Sequence, residues 1–204
     1  MQEKEVISIL QKNLNFSLKS ISKLKQFVGE LLIANKKHNF ISKSTENDVW
    51  HRHILDSAQL VKFIDFKNGS LSDLGTGAGF PGIVLAIFNT NNNFHVKLYE
   101  KSPIKRIFLN KLVKELDLRV TIYSNIYNEQ ICSEYIVSRA FKKFEQLIQV
   151  SREIVKKPHK IIAFRGQNAH EDLNKAFKNK KYPYKLEESM TNKESKIIII
   201  RFNK

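Results

Sequence analysis

The segment Leu71-Ser72-Asp73-Leu74-Gly75-Thr76-Gly77-Ala78-Gly79-Phe80-Pro81-Gly82 places four glycines within eight residues, directly after a short apolar run. Ser70–Leu74 reads as a strand and Pro81–Phe88 as a helix, so the glycines fill a strand-to-helix turn. Glycine there supplies positive φ and lets a ligand lie against bare backbone. In an open sheet, the crevice beyond the carboxyl ends of the strands is the usual ligand site. Glu100 falls at the end of the next strand, where a carboxylate can accept both hydroxyls of a ribose. Together these features describe an adenosine-type ligand.

Outward from the turn, short apolar runs alternate with helical patterns. Phe94–Tyr99, Val120–Ser124, Tyr135–Ser138, Lys160–Phe164 and Lys196–Phe202 read as strands. Pro103–Leu116, Phe141–Val155 and Asn168–Lys178 read as helices, the first with Ser102 as N-cap and Pro103 at N1. Such alternation predicts a mostly parallel sheet with helices on both faces. Tyr184–Ser189 and Lys196–Phe202 are joined without a helix, which predicts an antiparallel hairpin at the end. The expectation is an α/β chain with a seven-stranded sheet.

Before the turn the texture is helical. Leu18, Ile21, Leu24, Phe27, Val28, Leu31 and Leu32 recur at three- and four-residue steps, an amphipathic helix over 18–36. Thr45-x-x-Asp48 resembles a capping box and predicts a second helix running to about Phe63. Asn68-Gly69 then marks a turn. The division expected is a helical lobe over 1–66 and a sheet domain over 67–204, packed as one unit.

The glycine pattern alone leaves two ligands open. Gly77-x-Gly79-x-x-Gly82 matches the dinucleotide fingerprint, with Glu100 near the usual acidic offset, so a nucleotide-binding oxidoreductase is one reading. The pattern begins earlier, however, at Gly75, with Asp73 two residues before it. Asp-x-Gly-x-Gly-x-Gly resembles the first motif of S-adenosylmethionine-dependent methyltransferases, in which an acid such as Asp73 faces the cationic methionine moiety. The terminal hairpin also resembles the reversed last strand of their sheet.

Composition narrows the class. The 204 residues are 42% hydrophobic, too apolar for a disordered tail, and a single cysteine excludes an internal disulfide framework or a cysteine metal cluster. No metal site is expected. No apolar run approaches the roughly 20 residues of a membrane span. Met1-Gln2-Glu3-Lys4-Glu5 lacks a signal core, so a cytoplasmic protein with no membrane partner is expected. The net charge of +15 points to a polyanion. A lysine-, asparagine- and isoleucine-rich chain also gathers lysine by codon drift, so the total decides little. Its distribution says more. Residues 1–70 hold 11 basic and 7 acidic side chains, 71–140 hold 8 and 6, and 141–204 hold 16 and 7. The glycine-rich middle is almost balanced, and the flanks carry the positive field.

Three further segments carry a specific likeness. Trp50-His51-Arg52-His53-Ile54-Leu55-Asp56-Ser57 precedes the glycine turn, Phe80-Pro81-Gly82 extends it, and Val137-Ser138-Arg139-Ala140 ends the fourth strand. In this order, from about Asn39 to the C-terminus, the chain resembles the ribosomal RNA small subunit methyltransferase G family, also called glucose-inhibited division protein B. The resemblance implies a Rossmann-like class I methyltransferase fold and S-adenosylmethionine as cofactor. It implies methylation at N7 of one guanine in the decoding region (the 530 loop) of 16S ribosomal RNA. The partner implied is that RNA, the small ribosomal subunit or an assembly intermediate, met by a monomer. Carried over to this chain, Asp73, Gly75, Gly77, Gly79, Phe80 and Glu100 would bind the cofactor. Ile126 and Tyr127 would flank its adenine, and Arg139 would also contact the cofactor and close the site. The chain departs from the family pattern at Ser124-Asn125-Ile126-Tyr127, which lacks the usual acid, and at Phe164-Arg165-Gly166, where lysine is commoner than Arg165. The first departure keeps open a third reading, a non-catalytic RNA-binding factor on the same fold.

Guanine N7 has an in-plane lone pair and no proton, so its methylation needs no general base. Arg139 is therefore the catalytic candidate, an Arg fork able to address guanine O6 or the adjoining phosphate. A salt bridge to Asp73 or Asp56 is its competing role. Arg52, Lys142, Lys143 and Arg165 are the candidate RNA contacts. His51 and His53 are read as structural, Trp50 as lobe core and Cys132 as a bystander.

Overall fold

The computed structural model describes residues 1–127, 130–139, 143–177 and 182–203. The chain opens with α1 (Glu3–Leu14) and α2 (Leu18–His38). The first of these was not singled out by periodicity, although Val6, Leu10 and Leu14 form one buried stripe at four-residue steps. Ser17 caps α2, its hydroxyl accepting from the Ser20 amide, and Asn39 ends it in the left-handed region at φ 46°.

The helix expected from Thr45 to Phe63 is a broken path. It comprises α3 (Lys43–Glu46), a π-helical segment (Trp50–Leu55), α4 (Asp56–Ala58) and a 3-10 turn (Gln59–Phe63). Thr45 does not cap it, because that hydroxyl donates to the Ser42 carbonyl and pairs with the His53 ring. A tertiary contact has taken the group that local preference assigns to the cap. The π-helical geometry is rare and often marks a functional site. Here it turns Arg52, His53 and the following Asp56 toward one cleft.

The sheet follows: β1 (Gly69–Leu74), α5 (Gly82–Phe88), β2 (Phe94–Tyr99), α6 (Pro103–Glu115), β3 (Val120–Tyr123) and β4 (Tyr135–Ser138). Then come α7 (Phe144–Ile154), β5 (His159–Arg165), α8 (Ala169–Phe177), β6 (Tyr184–Glu188) and β7 (Lys196–Phe202). The spatial order is β3-β2-β1-β4-β5-β7-β6. All pairs are parallel except those of β7, which runs antiparallel to both β5 and β6. Ser102 caps α6 with Pro at its first turn, as its sequence predicts. Phe141, Lys142 and Lys178, expected at the ends of α7 and α8, lie outside the described residues.

Strand alternation splits the core by face. Ile162, Phe164, Ile197 and Ile199 join the lobe residues Leu10, Leu24, Phe27, Ile54 and Leu60. Ile161, Ala163, Ile198 and Ile200 pack with Leu147 of α7 and Leu173 of α8. The lobe is therefore one of the two layers that cover the sheet, and its own core continues into that of the strands. Trp50 is buried at 7% exposure within this layer and so is core. No helix among the described residues is long and apolar enough to cross a membrane.

Candidate active site

The order of the strands reverses between β1 and β4, and that switch point is where the sheet opens a crevice at its carboxyl ends. Asp73 stands opposite Val137 in the register, so the glycine turn after β1 and Arg139 after β4 emerge side by side. The Ser138 hydroxyl donates to the Leu74 carbonyl at 3.1 Å and ties the two strand ends together.

The four glycines divide by what a side chain would meet. A Cβ on Gly79 would lie 2.7 Å from the Ile83 side chain, and one on Gly82 would lie 2.2 Å from Leu98 and 2.8 Å from the Asp73 carboxylate. These two are glycines because helix and sheet close against them. A Cβ on Gly75 or Gly77 would meet nothing within 4 Å, yet both have positive φ, 77° and 61°. Their bare backbone faces open space, room that a side chain would take up. Both Gly75 and Thr76 amides donate to the Tyr99 carbonyl, which fixes the turn against the end of β2.

Glu100 lies against the same turn. One carboxylate oxygen accepts from the Gly77 amide at 2.9 Å and the other from the Ser102 amide at 2.7 Å. A carboxylate offers about four acceptor directions, so two lone pairs stay available to hydroxyls of a ribose. The turn, the carboxylate and the open backbone thus fit the adenosine part of S-adenosylmethionine.

Beyond β3, Ile126 is buried and Tyr127 is 58% exposed. Asn125 spends its side-chain oxygen on the Tyr127 amide, so it shapes a local turn. Tyr99 and Tyr123 stack at 4.9 Å and belong with Ile126 to one apolar cluster.

Asp73 is wholly buried beneath the turn, and one of its oxygens accepts from the Gly82 amide at 2.8 Å. The Thr76 hydroxyl lies beside it and favours the anion, but does not reach hydrogen-bond geometry, so Oδ1 completes no bond. Burial pushes the Asp73 carboxyl up to about 7, outweighing Thr76, the Gly82 amide and the charge of Arg139; Glu100 adds a small repulsion. The folded protein therefore keeps a proton that the unfolded chain releases near pH 4. Stability should fall as pH rises from about 4 to about 7 and then level, by on the order of 4 kcal/mol. Asp73→Asn can still accept from Gly82 and has no charge to desolvate. Denaturant titrations between pH 4 and pH 8 should show a flatter profile for that variant; parallel profiles would mean that Asp73 is ionised throughout.

Arg139 lies with its guanidinium 4.9 Å from the Phe80 ring centroid and donates at 3.4 Å to the Arg52 carbonyl. It forms no ion pair among the described residues, so the competing salt bridge to Asp73 or Asp56 is not made. Both acids still act on it, raising its pKa, while burial (the largest effect) and Arg52 lower it. Phe80 is 2% exposed, and its ring packs on Phe27 and His53. Any contact it makes with a ligand would come through its backbone, and its ring is the platform for Arg139. His53 is neutral, its pKa lowered to about 3 by burial first and then by Arg139 and Arg52, so it is no proton donor at neutral pH. His51 pairs with Asp48 at 3.4 Å.

Arg139, Arg52, His53, Asp56, Thr191 and Asn192 line a cleft of about 190 Å³. Its far wall is the turn between β6 and β7, which the motifs did not bring forward. The Thr191 hydroxyl donates to Asp56 at 2.6 Å, and Gln59 accepts from the Met190 amide at 2.8 Å while its amide nitrogen donates to Asp56 and to Ser189. Gln59 is 1% exposed. A buried glutamine aimed at a hairpin 130 residues away leaves no local pattern in the sequence.

The candidate RNA contacts are scattered. Arg52 is exposed at the cleft, and Lys143 is exposed before α7. Arg165 is half-buried, over the Phe144 ring and 3.6 Å from an Asp172 oxygen. Lys142 lies outside the described residues. Cys132 is a free, exposed thiol.

A family model described as rRNA small subunit methyltransferase G (GidB) matches residues 20–199. The chain belongs to this family. Among its relatives, the ribosomal RNA small subunit methyltransferase G of Pelagibacter ubique is 32% identical over 94% of this chain and 93% of that protein. The corresponding protein of Rickettsia felis is 34% identical over 87% and 91%. The fold recurs in solved structures. An S-adenosylmethionine-dependent methyltransferase from Aquifex aeolicus superposes with a TM-score of 0.61 at 12% identity, over 82% of this chain and 97% of that one. TYW2 of Methanocaldococcus jannaschii (M. jannaschii), solved with AdoMet, superposes at 0.58 with 16% identity, over 74% and 76%. Membership in a methyltransferase family decides between the two ligands that the glycine pattern left open, in favour of S-adenosylmethionine.

Proposed function

We propose that this enzyme transfers a methyl group from S-adenosylmethionine to N7 of a guanine in the decoding region of small-subunit ribosomal RNA. The observation that carries the reading is the meeting, at one switch point, of the open Gly75–Gly77 backbone with a cleft headed by Arg139. The first suits the adenosine and methionine parts of the cofactor, with Glu100 at the ribose and Ile126 and Tyr127 beside the adenine. The second suits a base brought in from solvent. S-adenosylmethionine, when bound, supplies an electrophilic methyl group on a positively charged sulfur.

The chain's own task is then geometric. N7 attacks with a lone pair, no proton moves, and net charge is conserved. Arg139 presents a fork whose N–H groups can donate to guanine O6 or to the adjoining phosphate and hold N7 on line. Orientation of this kind supplies several kcal/mol of a barrier. The Phe80 ring, the Arg52 carbonyl and the neutral His53 keep that fork in place. Asp73 acts from below, by holding the turn through Gly82. Arg52, exposed at the cleft, and Lys143, exposed before α7, are the candidates for an RNA backbone, while Arg165 lies 3.6 Å from an Asp172 oxygen. The reading has the enzyme working in the cytoplasm as a monomer.

Mass spectrometry of ribosomal RNA from cells with and without the gene tests this directly. One 7-methylguanine of the small-subunit RNA should vanish with the gene and return with a plasmid copy. An unchanged modification map would refute the assignment.

A further inference from the structure

A second cleft, of about 320 Å³, lies on the lobe-covered face of the sheet. Its walls are the 3-10 turn of Lys62 and Phe63, Lys160 at the start of β5, and Lys185 and Arg201 on the hairpin strands. We propose that this cleft is a docking groove for the RNA sugar–phosphate backbone, gripping the substrate at a distance from the methylated base. The proposal rests on the reading that the substrate is RNA.

The first argument is the register. Lys160 and Arg201 are directly opposite each other in the antiparallel β5–β7 pair, so both point to the same face. Like charges in that position destabilise a sheet. No ion pair among the described residues closes this one: Lys160 is held in the groove by donating to the Phe63 carbonyl at 2.9 Å, with its ammonium 5.3 Å from the Tyr135 ring centroid. It cannot swing clear without losing both contacts. Burial, and then Arg201, lower its pKa, while Asp65 opposes them.

The second argument is the lack of counter-charge. Lys62 rests its ammonium on the Met190 sulfur at 3.4 Å, not on an acid. Of the four cations only Lys185 has a carboxylate partner among the described residues, Glu187. Three cations lining one cleft, none ion-paired with a carboxylate among the described residues, are matched by an external row of anionic oxygens.

The third argument is position. Met190, which touches Lys62, and Thr191, which touches Asp56 at the wall of the Arg139 cleft, are consecutive residues of one turn. Lys62 is thus the end of the groove nearest the catalytic cleft, and the rest of the groove runs from it along the hairpin strands to Lys185 and Arg201. A polyanion long enough to run the length of the hairpin can occupy both, which favours RNA over an isolated phosphate.

Lys62 and Arg201 are both exposed, so a double charge reversal can be made without disturbing the core. The test compares wild type with Lys62→Glu/Arg201→Glu on unmethylated small-subunit RNA, supplied as free RNA and as the isolated subunit. The KM for RNA should rise at least tenfold with kcat within about twofold. The slope of log KM against log salt should fall by about two, one per lost phosphate contact. Affinity for S-adenosylhomocysteine should not move, and the melting temperature should hold or rise, because Arg201→Glu replaces the like-charge pair with Lys160 by an opposite-charge one. Lys36→Glu/Lys114→Glu, an equal change in net charge on α2 and α6, should leave KM near that of wild type. Unchanged KM and salt slope in the groove variant, or an equal loss in the α2/α6 variant, would overturn the groove. A wild-type enzyme that methylates no RNA at all would instead refute the reading beneath it.

Discussion

A Gly75→Asp enzyme is expected to fold and to lose S-adenosylmethionine binding by a factor of 100 or more. Gly75 sits at φ 77°, with open space where its Cβ would be. A left-handed residue other than glycine costs about 1–2 kcal/mol, and aspartate is among those that bear it best. No packed neighbour has to move, so the melting temperature should drop by a few degrees only. The new carboxylate, however, projects into the open space over the turn, where it adds volume and negative charge against the ligand. A hundredfold loss corresponds to about 2.8 kcal/mol, well within what a filled cradle can remove. Calorimetric titration with S-adenosylhomocysteine reads the effect directly. Affinity equal to wild type would show that the cofactor lies elsewhere. Gly82→Ala makes the contrasting control: its Cβ would strike Leu98 and Asp73, so its loss of binding would come with a loss of fold.

Arg139→Ala should separate catalysis from cofactor binding. The guanidinium lies over Phe80, outside the glycine turn, and forms none of the contacts that shape Gly75 to Gly77. Affinity for S-adenosylhomocysteine should stay within about threefold. Turnover should fall by roughly 10²–10³, the usual cost of removing one preorganised donor aimed at a reacting group. Arg139→Lys should recover only part of the rate, because an ammonium supplies the charge without the planar fork. Single-turnover methylation of small-subunit RNA at saturating cofactor measures this step. Undiminished turnover in Arg139→Ala would remove the residue from the mechanism, and a matching collapse in cofactor affinity would recast it as a cofactor contact.

Several parts of this architecture were legible without coordinates because their causes are local. Apolar runs of four to seven residues with β-branched side chains became β2, β4 and β7 with the same bounds as the pattern predicted. Ser102-Pro103 opened α6 because a hydroxyl followed by a missing N–H satisfies helix ends by itself. The segment from Thr45 to Phe63 departs from its pattern because its hydroxyl and histidine groups answer to each other and to the Ser42 carbonyl. Periodicity sees a helix there. The chain instead adopts π-helical and 3-10 segments that a regular hydrophobic pattern does not encode.

The candidate site divides along the same line. Four glycines, Asp73 and Glu100 could be named from spacing, but spacing could not tell which glycines face a ligand. Only the positions of Ile83, Leu98 and Asp73 separate Gly79 and Gly82, which seat the helix, from Gly75 and Gly77, which face open space. Phe80 was placed with the cofactor by its motif, whereas its ring lies between the lobe and Arg139. The sequence by itself determined the alternation of strands and helices, the ligand-bearing turn and the family, since these depend on residues near one another in the chain. The tertiary structure alone decided what surrounds Arg139 and the cationic groove. The hairpin tip, Asp56, Gln59 and the Lys160–Arg201 pair come from segments far apart in the chain, and only strand register and the docking of the lobe on the sheet bring them together.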